Sequence, residues 1–154
     1  MHLITGIRST IALAALLAAS AAAAEAVSVK EAWVRATAPG QKVAGAYLEL
    51  TSRADAALIA AASPAAARVE LHTMAMEGGV MRMRPVRRVA LPAGKWVKLA
   101  PGGLHLMLVD LQRPLNEGDR VPLALTIEQA DGSRATVSVQ AAVRGLAGAK
   151  THSH

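Results

Sequence analysis

Residues 104–111 read LHLMLVDL, and their alternation indicates the fold class of the whole chain. Successive side chains of a β-strand point to opposite faces, so residues two apart share a face. On this strand His105 and Met107 share one face. The opposite face is apolar and directed at a core, and it carries Leu104, Leu106 and Leu108. The stretch therefore predicts a half-buried strand with an imidazole and a thioether on its outer side.

Six other segments show the same two-residue periodicity and are predicted to be strands: 27–36, 43–50, 67–73, 95–100, 121–129 and 135–143. Gly, Pro and polar residues separate them, and Asp131-Gly132 predicts a tight hairpin turn. The Ala-rich segment 53–67 has a composition that favours helix. Pro64 and the shortness of the run favour a strand followed by a loop. Short strands about a dozen residues apart predict an all-β fold, a Greek-key β-sandwich or barrel.

The first 24 residues have the three-part pattern of a secretory signal peptide. Arg8 precedes an apolar run at 11–19, and Ala22-x-Ala24 is a cleavage site, with Ala24-x-Ala26 as the alternative. The run is shorter than the roughly 20 residues that a membrane span needs, which disfavours a retained anchor helix. We therefore expect no membrane span in the mature form, a domain at 27–145 and a flexible tail at 146–154.

The amino-acid composition indicates where the protein is located and which classes of function it disfavours. The chain has no cysteine, so it can form no disulfide and carries no thiol for a lipid anchor, and we expect it in a bacterial periplasm. It has a net charge of +6 but no phenylalanine and one tyrosine, which disfavours nucleic-acid binding by base stacking. The predicted domain lacks a cysteine nucleophile, a glycine-rich phosphate loop and a G-x-S-x-G elbow, so we expect no enzyme.

Histidine and methionine cluster in two strands and the segment between them. In VELHTMAM (69–76), strand spacing puts His72 on one face with Glu70, Met74 and Met76. In VMRMRP (80–85), Met81 and Met83 form a second pair of this kind. Two imidazoles and two thioethers on neighbouring strands can close a four-coordinate site: His72, Met83, His105 and Met107.

The chemistry of this donor set favours Cu(I). Thioether sulfur is soft and imidazole is intermediate, which suits Cu(I) and not Mg, Ca or Mn. Zinc more often recruits thiolate or carboxylate beside histidine. A blue-copper electron-transfer centre needs a cysteine thiolate, which this chain lacks. The pattern therefore predicts a protein that holds Cu(I) without cycling electrons.

The spacing H-x10-M-x21-H-x-M, from His72 to Met107, resembles that of the periplasmic copper-A chaperone (PCuAC) family. Segment 32–50, AWVRATAPGQKVAGAYLEL, is similar to the first strands of that family. The resemblance implies a cupredoxin-like β-sandwich that binds Cu(I) through these four side chains. It also implies delivery of copper to the CuA centre of cytochrome c oxidase, or to a Sco-type assembly protein. Some relatives have a longer Met- and His-rich tail, of which only KTHSH is present here.

The other methionines and the two histidines of the tail each have two interpretations. Met74, Met76 and Met81 either help copper to enter and leave or cover a loop. His152 and His154 in the tail form an H-x-H pair that could bind Cu(II) weakly. The three aromatic residues are predicted core anchors: Trp33, Tyr47 and Trp96.

The basic residues of the chain and its overall function each have more than one interpretation. Six cations lie between residues 78 and 109 with no acidic residue, as either a solvated strand face or a surface for an acidic partner: Arg82, Arg84, Arg87, Arg88, Lys95 and Lys98. Two alternatives to the chaperone function remain. One is a general periplasmic copper-scavenging or storage protein. The other is an exported β-sandwich binding module whose methionines only pack.

Overall fold

The computed structural model describes residues 26–145, and this part of the chain forms ten β-strands and no helix. The strands are β1 (Val27–Arg35), β2 (Val43–Ser52), β3 (Ala56–Ala62), β4 (Ala66–Glu77), β5 (Val80–Pro85), β6 (Val89–Leu91), β7 (Val97–Leu99), β8 (His105–Leu111), β9 (Arg120–Gln129) and β10 (Arg134–Arg144). Every segment with two-residue periodicity overlaps one of these strands. The predicted all-β class is confirmed.

The strands form one sheet that closes on itself. Their order is β5-β4-β8-β2-β1-β10-β9-β3-β6, with β7 beside β2. A pairing of β3 with β4, through Ala61 and Val69, closes a circuit of seven strands. β1 and β10 run parallel, and the other pairs of the described chain are antiparallel. β5 lies outside this circuit as an edge strand that pairs with β4.

Leucine side chains on the inner faces of the strands fill the core. Leu106 and Leu108 are completely buried, as the alternation of the LHLMLVDL stretch predicts, and β9 alternates in the same way from Val121 to Ile127. Complete burial of one such side chain contributes about 1.5–3 kcal/mol. Because the chain has no cysteine, this packing replaces the disulfides of many exported domains.

The Ala-rich segment forms a strand, β3, followed by a loop, as predicted. β4 is longer than its periodicity indicated and runs on to Glu77. There it turns into β5 through Gly78 and Gly79, with φ angles of 57° and 80°. Two consecutive positive φ angles are the mark of a type I′ turn, which glycine adopts without strain and which matches the strand twist. The short strand β6 has too few residues to show a period and was not predicted.

Several predictions fall outside the described residues. They are the signal peptide at 1–24, the tail at 146–154, and the H-x-H pair of His152 and His154. Within residues 26–145, no helix is long and apolar enough to cross a membrane.

Candidate metal centre

Adjacent strands β5, β4, β8 and β2 place the predicted ligands on one outer face of the sheet. Residues directly opposite each other in an antiparallel pair project to the same face. His72 on β4 is directly opposite His105 on β8. Two residues further along, Met107 lies between Glu70 of β4 and Gly45 of β2. The alternation excludes a register shifted by one residue, because that shift would move the leucines out of the core.

The two histidines lie side by side and are mostly covered. Their ring centroids are 5.7 Å apart. His105 is only 5% exposed, and the His72 side chain is 13% exposed. His105 lies on the face away from the leucine core, as predicted. It is nevertheless buried, between the ring of His72 and that of Tyr47, whose centroid is 6.4 Å away.

Each imidazole makes one hydrogen bond, and that bond sets the tautomer. His105 Nδ1 lies 2.9 Å from the backbone carbonyl of Gly103. His72 Nε2 lies 2.9 Å from a carboxylate oxygen of Glu70. Since carbonyl and carboxylate oxygens accept and do not donate, the ring N–H groups are the donors. The other nitrogen of each ring then carries a free lone pair, the arrangement that prepares an imidazole to bind a metal.

These lone pairs belong to buried atoms. Within residues 26–145, neither His72 Nδ1 nor His105 Nε2 has a hydrogen-bond partner. A buried acceptor without a partner costs about 1–3 kcal/mol. A metal–imidazole bond is about 2 Å long, so two rings 5.7 Å apart can bind a single ion. The two histidines therefore fit a shared metal.

Glu70 is held by a chain of charges that extends beyond the histidines. Its second carboxylate oxygen accepts a hydrogen bond of 2.8 Å from Arg68, which also bonds to Asp110 at 2.9 Å. The Arg68 guanidinium, and then the His72 imidazole, hold the pKa of the Glu70 carboxyl below its ordinary value. Glu70 thus stays ionised and keeps accepting the hydrogen bond from the Nε2–H group of His72. Sequence reasoning placed Glu70 on this face but missed its role, which its same-face spacing from His72 could have indicated.

The thioethers lie at different distances from the histidines. Met107 is half-buried and two residues from His105. Met83 is on edge strand β5, directly opposite Met74 of β4, so two strand spacings, about 9.5 Å, separate its backbone from β8. Met76 and Met81 form the next opposed pair outward. The described residues contain no cluster of three or more His, Cys, Asp or Glu side chains suited to a metal.

Tyr47 and Trp33 cover this outer face of the sheet. They are opposite each other on β2 and β1, with ring centroids 4.6 Å apart, and neither belongs to the core cluster. The Tyr47 side chain passes so close over Gly45 that a Cβ there would lie 2.5 Å from the hydroxyl oxygen. Trp96 is exposed, with the Lys30 ammonium 3.9 Å from its ring centroid. The core-anchor prediction is therefore wrong for the exposed Trp96. Trp33 and Tyr47 lie outside the leucine cluster, and Tyr47 is buried against His105 on the outer face of the sheet.

The basic span at 78–109 is less positive than its sequence suggests, because carboxylates from outside the span reach it. Arg82 and Arg84 both pair with Glu77. Arg88 pairs with Glu128, and Lys98 pairs with Glu49. Four of the six cations thus lie within 4 Å of a carboxylate, which favours the interpretation as a solvated face over that of a docking surface.

Comparison with known proteins identifies the family of this chain and solved structures with the same fold. The model of the LpqE-like lipoprotein family matches residues 27–142. The protein Lxx21020 of Leifsonia xyli subsp. xyli (strain CTCB07) is 34% identical over 117 residues, which are 75% of this chain and 69% of that protein. The solution structure of CuI-DR1885 from Deinococcus radiodurans is 33% identical, with a TM-score of 0.51 over 73% of this chain and 74% of that one. The copper-bound PCuAC domain from PmoF2 has the same fold, with a TM-score of 0.62 at 23% identity, over 78% of this chain and 93% of that domain.

Proposed function

Since this chain belongs to the LpqE-like family and has the fold of PCuAC domains, we propose that it is an exported protein that binds Cu(I) and passes it to a partner protein. Membership of this family confirms the resemblance to the PCuAC family that we inferred from the spacing between His72 and Met107. The copper-bound relatives CuI-DR1885 and PmoF2 support the choice of metal. The residues support it independently, because imidazole and thioether together are a donor set that Cu(I) prefers.

The proposed ligands are His72, Met83, His105 and Met107. The observation that carries the proposal is the pair of buried ring nitrogens, His72 Nδ1 and His105 Nε2, without a partner in the described chain. Glu70 and the Gly103 carbonyl hold the two rings with these nitrogens free. The two thioethers would complete the set on the same face.

The proposed mechanism of delivery is ligand exchange. The donors are neutral and soft, so they hold copper as Cu(I) and need no change in its oxidation state. Tyr47 and His72 shield His105 on the buried side of the site. Copper therefore leaves from the side of the exposed Met83 thioether, where the soft ligands of an acceptor can replace the donors one at a time.

The acceptor we propose is the CuA domain of cytochrome c oxidase or a Sco-type assembly protein, in the periplasm. The family resemblance supports this choice. A general copper-scavenging or storage protein is the second candidate, and it shares the site but not the transfer. We propose no enzymatic activity, because a four-ligand site leaves no open position on the metal for a substrate.

Titration of the reduced protein with Cu(I), in competition with a chelator of known affinity, tests binding. We expect one tightly bound equivalent in the wild type and strongly reduced affinity in Met107→Leu, which keeps the side-chain volume. Mixing the loaded protein with an apo CuA domain then tests delivery, through the absorption of the CuA centre. Tight binding without transfer would favour storage, and failure to bind Cu(I) would leave an exported binding module.

A further inference from the structure

The hairpin of β4 and β5 carries two opposed pairs of methionines on the face of the candidate metal centre. Met74 is opposite Met83, and Met76 is opposite Met81. His72 is two residues before Met74, so both pairs lie in line with it. The two pairs continue the row of soft and intermediate donors from the histidines towards the hairpin turn. We call them the inner pair (Met74, Met83) and the outer pair (Met76, Met81).

Exposure increases steadily along this row. His105 is 5% exposed, whereas Met83 is 43%, Met81 is 45% and Met76 is 65% exposed. All six residues of β5 are exposed, and none of the four methionines packs against the hydrophobic core. Packing therefore does not explain the outer pair, although packing is the usual role of methionine. Arg82 and Arg84 occupy the opposite face of β5 and pair with Glu77, so the β5 residues on the methionine face are uncharged.

The spacing suits transfer of an ion from one pair to the next. Opposed residues have Cβ atoms about 4.5–5.5 Å apart, and successive pairs lie about 6.8 Å apart along the strands. Methionine has three rotatable bonds and a polarizable sulfur, so neighbouring pairs can reach a common ion. A soft ion can then exchange one thioether for the next without being released into water.

We infer that the outer pair, Met76 and Met81, is an entry and exit site for Cu(I), from which the ion passes through the inner pair to the histidines. This inference rests on the proposed function and adds the route to it. At each step a thioether lone pair replaces another donor on the ion. No electron is transferred and the ion remains Cu(I). The outer pair controls the rate of exchange, and the histidine site controls the final affinity.

The test compares Met76→Leu/Met81→Leu with the wild type. Leucine keeps the apolar surface and nearly the volume of methionine but has no donor. Val80→Leu is the matched control, because Val80 is exposed on the same hairpin and carries no sulfur. The first measurement is the stopped-flow rate at which bicinchoninate removes Cu(I) from each loaded protein. The second is the response of the ¹³C methyl signals of methionine to a second equivalent of Ag(I), a redox-inert soft probe.

We expect release to slow about tenfold in the double variant, equivalent to raising the barrier by about 1.4 kcal/mol, with the affinity for the first equivalent unchanged. The control should match the wild type in both respects. In the wild type, the second equivalent of Ag(I) should shift the methyl signals of Met76 and Met81. Tight uptake of Cu(I) with an unchanged release rate in the double variant would overturn the entry site alone. No uptake of Cu(I) by the wild type would overturn the proposed function as well.

Discussion

Replacing Glu70 tests whether this carboxylate prepares His72 for the metal. Glu70 accepts a hydrogen bond of 2.9 Å from the Nε2–H group of His72, which keeps the buried Nδ1 lone pair free. Loss of such a partner of a metal-binding histidine typically costs about 10–100-fold in affinity. Glu70→Gln still offers an oxygen but loses the charge, so we expect a loss near the lower end, about tenfold. Glu70→Ala removes the acceptor and lets the ring turn, so we expect about 100-fold.

Competition with a Cu(I) chelator measures both affinities, and ¹⁵N NMR of the metal-free protein reports the tautomer of His72. Asp110→Asn is the matched control, because Asp110 bonds to the same Arg68 but touches no proposed ligand. The control should keep the wild-type affinity and tautomer. Wild-type affinity in Glu70→Ala, or an unchanged tautomer despite reduced affinity, would refute the positioning role of Glu70.

Met83→Leu and Met107→Leu should each cost less than about 1.5 kcal/mol in unfolding free energy, which denaturant titration measures. Cu(I) affinity should fall at least about 100-fold, beyond the range for residues that only orient a metal ligand, which chelator competition measures. Gly45→Ala should destabilise the fold by about 1–3 kcal/mol through overpacking, since its Cβ would lie 2.5 Å from the Tyr47 hydroxyl. Adding Tyr47→Phe should recover part of that loss in the same denaturant titration. Leu106→Ala removes a completely buried side chain and should cost about 2–5 kcal/mol, visible as a lower Tm. Affinity for Cu(I) should fall on acidification, because protons compete with the metal for the two ring nitrogens, and chelator competition across a pH series would detect it.

The strands and the outer face of the site could be predicted from sequence because both follow from a two-residue period. The leucines of β8 fix which face is buried, and His105 and Met107 are then assigned to the other. Pairing between strands has no such local signal. Only the register shows that His72 is opposite His105 and that Met74 is opposite Met83. The cover over His105 was missed for the same reason, since it depends on Gly45 of a different strand, which leaves room for Tyr47.

The position of β5 also has consequences for motion. β5 pairs with β4 and lies outside the closed circuit, so it can detach while the seven strands of the circuit stay paired. Such local openings need less free energy than global unfolding, and amide hydrogen exchange detects them. An ion held by Met83 together with His105 would tie β5 to a strand of the circuit. At a free ligand concentration of 100 Kd, binding to the closed form alone contributes about 2.7 kcal/mol against opening. We therefore expect Cu(I) to slow amide exchange in β5 far more than in β9, so that detachment of this strand and departure of the metal occur together.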